Sequence, residues 1–120
     1  MHNWPELPLG QFGVSPGPMM AGADDFDIIV KGKGGHAAMP DLTVDPIIIA
    51  SQIILSFQTI ISRFINPIDR AVISVTKIHG GSAYNVIDDE VIISGTVRTF
   101  NSELQDSIEK KMKETALTIS

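Results

Sequence analysis

Strand, helix, strand, strand, helix is the order in which the apolar patterns of this 120-residue chain succeed one another, and it predicts an α+β fold. Three observations carry the prediction. Residues 26–31 alternate with period two, a long apolar helix pattern opens at Asp45-Pro46, and two adjoining strand patterns lead into a second amphipathic helix. The order is that of a ferredoxin-like βαββα(β) sandwich, an antiparallel sheet with two helices on one face, whose final strand is missing.

In residues 1–22, Pro5, Pro8, Gly10, Gly13, Pro16, Gly17 and Pro18 block a regular helix and favour an extended, turning arm. In "FDIIVK", Phe26, Ile28 and Val30 fall on one face and Asp27, Ile29 and Lys31 on the other, the pattern of a half-buried strand. The glycines of "KGKGGHAAMP" end it. Asp45 is an N-cap, and Pro46 takes the first helical position, where its missing N–H costs nothing. This helix is predicted to run to about residue 65: the stretch is too long for one strand despite its many isoleucines, and Gln52, Ser56, Thr59 and Arg63 recur as a single polar stripe. Its apolar remainder is wider than one sheet contact needs, and the excess is read as a contact with a partner subunit. Asn66-Pro67 closes the helix. "RAVISVTKIHGG" is the second strand. "EVIISGTVRTF" is the third, with Val91, Ile93 and Val97 opposite in sense to Ile92, Ser94, Thr96 and Arg98. Ser102 and Gln105 fit a capping box for the last helix, whose apolar stripe is Leu104, Ile108, Met112 and Ile119. The chain stops there, as if cut from something larger, and the absent strand leaves an edge or gap that predicts partner pairing or aggregation.

A 43% hydrophobic content and a formal charge of -5 describe a single globular domain with an acidic surface. Nucleic acid is an unsuitable partner, because phosphate binding draws its affinity from clustered Lys and Arg. With no cysteine, disulfides, thiolate zinc sites and thiol catalysis are excluded together, and any metal must be held by His, Asp or Glu. No apolar run is read as long enough to span a membrane and no leader opens the chain, so a cytoplasmic location is expected.

The segment GKGGHA matches G-x-G-x-x-A, a form of the dinucleotide-binding fingerprint. That fingerprint works only where the glycine turn leads straight into a helix, and here Met39-Pro40-Asp41-Leu42-Thr43 intervene before Asp45. What remains is a glycine-rich strand end displaying His36, useful where backbone passes close to a ligand or another chain. His79 reads as the structural end of its strand, and His2 alone cannot make a metal site. Taken together, His36, Asn85 and Arg98 converging on one sheet edge would supply two hydrogen-bond donors and a bidentate carboxylate clamp. An anionic ligand with a polar carbonyl fits that set.

The blocks "HNWPELPLGQFGVSPGPMMAGADDFDIIVKGKGGHAAMP", "VDPIIIA", "IHGGSAYNVIDDE" and "GTVRTF" resemble the satellite, or lid and dimerisation, domain of M20-type metallopeptidases. The closest subgroup comprises hippurate hydrolases, N-acyl-amino-acid amidohydrolases and auxin-conjugate hydrolases. The resemblance implies that residues 23–120 are a βαββαβ lid, with 1–22 the segment leaving a larger catalytic domain. That domain would hold two divalent metal ions (Zn, Mn, Ni or Co) in the intact enzyme, with none bound by this fragment. The family's Cys-Gly-His segment, catalytic Glu pair and late metal-binding His have no counterpart here. His2 resembles a metal ligand of the intact enzyme. His36 resembles the lid histidine that enters the partner's active site and hydrogen-bonds the scissile carbonyl oxygen. Asn85 and Arg98 resemble the residues that bind the substrate's carbonyl and carboxylate, and Gly81 is similar to the glycine near that site. Asp88 stands where the family usually has Pro, which implies a less rigid loop around Asn85. The implied function is amide hydrolysis of N-acyl amino acids by a homodimer, with the isolated fragment inactive. The alternative is a non-catalytic ferredoxin-like module for dimerisation or ligand sensing.

Overall fold

The computed structural model describes residues 2–3, 10–16 and 23–119, with side chains from residue 24 onward. Its elements are β1 (His2–Asn3), β2 (Gly10–Pro16), β3 (Ala23–Lys31), β4 (Gly35–His36), α1 (Pro46–Thr59), β5 (Ala71–His79), β6 (Val86–Ile87), β7 (Glu90–Thr99) and α2 (Ser102–Ile119). One sheet has the order β1-β2-β3-β7-β5 with all neighbours antiparallel, and β4 and β6 form a separate ribbon.

The core lies on one face of this sheet. Phe26, Ile28 and Val30 of β3 and Val91, Ile93 and Val97 of β7 are buried there together, as their period-two spacing requires. They meet Ala50, Ile53, Phe57 and Ile60 from the first helical segment and Ile108, Met112 and Ala116 from α2. Both helices therefore cover the same face, the α+β sandwich expected from the sequence. Among the described residues no strand follows α2. The position beside β3 where a fourth ferredoxin-like strand would run holds β2 instead, antiparallel, with Gly10 opposite Val30 and Pro16 opposite Asp24. The expected gap on that side is filled by the chain's own arm, and among the described residues the long unpaired edge is that of β5.

Asp45 caps α1 by accepting the Ile47 N–H at 2.9 Å, and Pro46 follows at the first position. The α-helix ends at Thr59, earlier than its sequence pattern suggests, and continues as a π turn over Ile60–Phe64 in which the Ile65 N–H reaches the Ile60 carbonyl at 3.3 Å. Taken together, Pro46–Phe64 is long and apolar enough by length and composition to cross a membrane, which corrects the reading that no run reaches that length. Only 22% of that apolar window is buried, with Ala50, Ile53, Phe57 and Ile60 packed on the sheet. Ile47, Ile48 and Leu55 stay exposed, as the excess apolar width foretold.

At α2 the cap is Asn101 and not a Ser102 box: its side-chain oxygen accepts the N–H groups of Glu103 at 2.8 Å and Leu104 at 3.1 Å. Gln105 is thereby released for the interior. Its amide donates to Asp24 at 3.0 Å and to Glu109 at 2.9 Å, and its oxygen accepts from Thr99 at 2.8 Å. Glu109 is 3% exposed, and burial, followed by its hydrogen bond with Asp24, pushes its carboxyl up to about 8; Asp106 adds a smaller push in the same direction. The folded chain therefore holds a proton that the unfolded chain releases near 4.5, and stability should fall as pH rises from about 4.5 to about 8. Glu109→Gln should remove most of that slope in pH-dependent thermal melts and stabilise the chain at pH 8 by on the order of 2 kcal/mol. Parallel slopes for the two proteins would contradict this.

Candidate functional site

The two central strands extend past the body of the sheet with an offset. Lys31 pairs with Glu90, and the ladder resumes with Gly35 opposite Ile87 and His36 opposite Val86. Residues 31 to 35 thus match residues 90 to 87, one extra residue on the glycine side, which is a bulge. Asp89 spans it. Its backbone carbonyl accepts the Gly32 N–H at 2.6 Å, and its carboxylate accepts the Gly34 N–H at 2.7 Å. Lys33, between them, exchanges backbone hydrogen bonds with Val44 at 2.8 and 2.9 Å. A Cβ on Gly32 would fall on the Val44 carbonyl oxygen, and one on Gly34 on the Ile87 carbonyl oxygen. The close approach expected of these glycines is thus made first to their own chain.

The extension displays His36 and Asn85 side by side. The Ala37 N–H donates to the Asn85 carbonyl at 3.0 Å, and the Met39 N–H to that of His36 at 2.9 Å. His36 is exposed, and its Nδ1 accepts the Ala38 N–H at 3.1 Å. In the neutral ring that bond leaves the proton on Nε2, so the outward nitrogen is a donor. Gly81 opens the neighbouring loop at φ 95°, a left-handed conformation that favours glycine. Gly81, Ser82, Ala83, Tyr84 and Asn85 line an open concavity of about 710 Å³, with Tyr84 fully exposed at the tip. Ser82 Oγ donates to Asp88 at 3.0 Å, so the loop without a proline is closed by a side-chain hydrogen bond instead. The Nε2–H of His36, with the exposed Asn85 beside it, suits a carbonyl oxygen or the oxyanion it becomes.

Arg98 does not join them. It lies exposed on the helix-free face of β7, opposite Ala23 and Val72, at the other end of the sheet. From Glu90 to Arg98 the strand covers about 26 Å at ~3.3 Å per residue. The expected convergence of His36, Asn85 and Arg98 within one chain is therefore replaced by a split between two ends. His79 terminates β5 opposite Ile92. His2 pairs through its backbone with Val14, and its side chain, with any metal-binding role, lies outside the described residues. Among the described residues no group of three or more His, Asp or Glu side chains is placed to hold a metal ion, so these residues do not fit the family's metal pair.

Two features escaped the sequence reading. One is the Asp89 clamp, whose signal was the run "IDDE" standing opposite the glycines once the hairpin is extended past Lys31. The other is the buried Asp24, Gln105 and Glu109 set, which polar spacing alone did not announce.

The sequence profile described as "Peptidase dimerisation domain" matches residues 20–119. The chain is 46% identical over 116 residues to an N-acetylcysteine deacetylase of Bacillus subtilis, covering 97% of this chain and 30% of that protein. It is 43% identical over 114 residues to an IAA-amino acid hydrolase of Arabidopsis thaliana, covering 95% of this chain and 26% of the plant protein. Among solved structures, an aminohydrolase candidate from methicillin-resistant Staphylococcus aureus superposes with TM-score 0.79 at 33% identity over 82% of this chain and 26% of its own. A Bacillus subtilis protein described as a dinuclear metal binding peptidase from the M20 family superposes with TM-score 0.61 at 38% identity, over 98% and 27% of the two chains. The chain thus spans less than a third of the length of each of these relatives.

Proposed function

The chain belongs to the peptidase dimerisation domain family of M20 hydrolases, and from that premise we propose that it is the lid of a metal-dependent amidohydrolase acting on N-acyl amino acids or similar conjugates. The observation that carries this reading is the outward Nε2–H of His36 held beside Asn85 on a bulged extension of the sheet. His36 donates to the scissile carbonyl oxygen and strengthens that bond as negative charge grows on it. Asn85 and Gly81 shape the same end of the site. Arg98 takes the substrate's carboxylate, and because it sits at the far end of the sheet, a small substrate meets Arg98 of one chain and His36 of a second. In the intact enzyme two divalent ions, Zn, Mn, Ni or Co, would be held by the remaining part, which the chain leaves ahead of β2, and would activate water there.

The second chain is a copy of the first. β5 has an open edge for strand pairing, and α1 beside it exposes Ile47, Ile48 and Leu55, an apolar face in want of cover. A two-fold pair would bury both features against themselves. The isolated chain should scatter light as a dimer and leave a hippurate-type substrate intact. Leu55→Glu should weaken the dimer about a hundredfold by placing like charges across the axis. A monomer at all concentrations, or turnover by the isolated chain, would defeat the proposal.

A further inference from the structure

The Gly34 N–H in the bulge has a side chain as its acceptor, and that side chain, Asp89, lies between β7 and β6, the short strand that Asn85 leads into. We propose that Asp89 is a positioning residue, fixing the direction in which the glycine segment delivers His36 relative to Asn85. The proposal rests on the reading of His36 as a donor to substrate. Asp89 bonds two amides of the glycine segment at once, Gly32 through its backbone and Gly34 through its carboxylate. A carboxylate acceptor at 2.7 Å is the stronger kind of hydrogen bond. Without it, the Gly34 amide loses the bond that orders a stretch where Gly34 and Gly35, lacking side chains, restrict the backbone least. Beyond Gly34, among the described residues, the His36 segment is tied to residues 85–87 by backbone pairs, those of Gly35 with Ile87 and His36 with Val86 and the bond from Ala37 to Asn85. The carboxylate bond is exposed and Asp89 is not one of the core residues, so its loss should loosen the display of His36 and leave the core intact.

Amide hydrogen exchange on the chain, with Asp89→Ala and Asp89→Asn compared, tests this. Asp89→Ala should speed exchange at Gly34, His36 and Ala37 about tenfold, while amides of β3, β7 and α2 keep their protection. Asp89→Asn retains an acceptor oxygen and should keep most of the protection. In the intact enzyme, Asp89→Ala should lower kcat about ten- to a hundred-fold with KM little changed, because a donor misplaced by about 1 Å loses most of its effect. Unchanged exchange in Asp89→Ala, equal loosening in both variants, or loss of protection throughout the sheet would each overturn the proposal. His36→Ala assayed alongside separates the two readings: silence there overturns the donor role of His36, whereas the exchange pattern judges Asp89 by itself.

Discussion

Turnover by the intact enzyme should fall about 10²–10³-fold in His36→Ala, the loss expected when one preorganised oxyanion donor is removed, with bound metal unchanged. The size follows from geometry and solvation. The Ala38 N–H holds Nδ1, so the ring presents Nε2–H without having to choose a tautomer at the moment of reaction. In the dimer that donor would lie out of water, where each hydrogen bond to developing charge is worth more. His36→Gln keeps an amide donor on a longer, looser side chain and should recover part of the loss. The split between His36 and Arg98 allows a sharper test. Mixing subunits that carry His36→Ala with subunits that carry Arg98→Ala should restore about a quarter of the activity, since about half the pairs are mixed and each mixed pair holds one intact site. Wild-type turnover in His36→Ala would remove the histidine from the mechanism, and no recovery on mixing would remove the exchange between subunits.

Phe57→Ala should be the most damaging substitution for the fold, at about 3–5 kcal/mol. Phe57 is fully buried on α1, and its ring stands edge-on to Phe26 of β3 with centroids 6.2 Å apart and planes at 82°. This contact joins helix to sheet at the centre of the core, so truncation opens a cavity and also removes an aromatic pair worth about 1 kcal/mol. Against a total stability of about 5–15 kcal/mol, the melting temperature should drop by roughly 15–25 °C. Phe57→Leu fills most of the space and should cost much less. A melting temperature within about 5 °C of wild type for Phe57→Ala would show that α1 is not anchored there.

The strands and their faces were legible because a period of two leaves no freedom: once Phe26 is inside, Ile28 and Val30 follow, and Asp27 cannot. The start of α1 was legible for a local reason, since Asp45-Pro46 encodes a cap and a first turn without help from the rest of the fold. Long-range quantities were not. The placement of Arg98 depends on how many paired residues separate it from the bulge, and only the register of β3, β7 and β5 sets that number. Ser102 and Gln105 satisfied a capping pattern, yet Asn101 won the cap because burial of Gln105 against Thr99 and Asp24 withdrew its side chain from the helix end. Glu109 looked like a surface residue by type, and only packing makes it an interior acid. Within the candidate site, the glycines announced that something passes close but not what. The nearest surfaces are the Val44 and Ile87 carbonyls of the same chain.

The bulge also governs what changes the segment from Lys31 to His36 can absorb. In an unbroken ladder residue 36 would continue the parity of Phe26, Ile28 and Val30, the residues that face inward. The extra residue interrupts that count, and His36 lies outside. Lys33 is exposed and contributes only its backbone to the pairing with Val44, so its identity is free. Losing it would close the bulge and set the histidine one position earlier, at the parity of Asp27 and Ile29, so that it would still face outward but on an unbulged ladder.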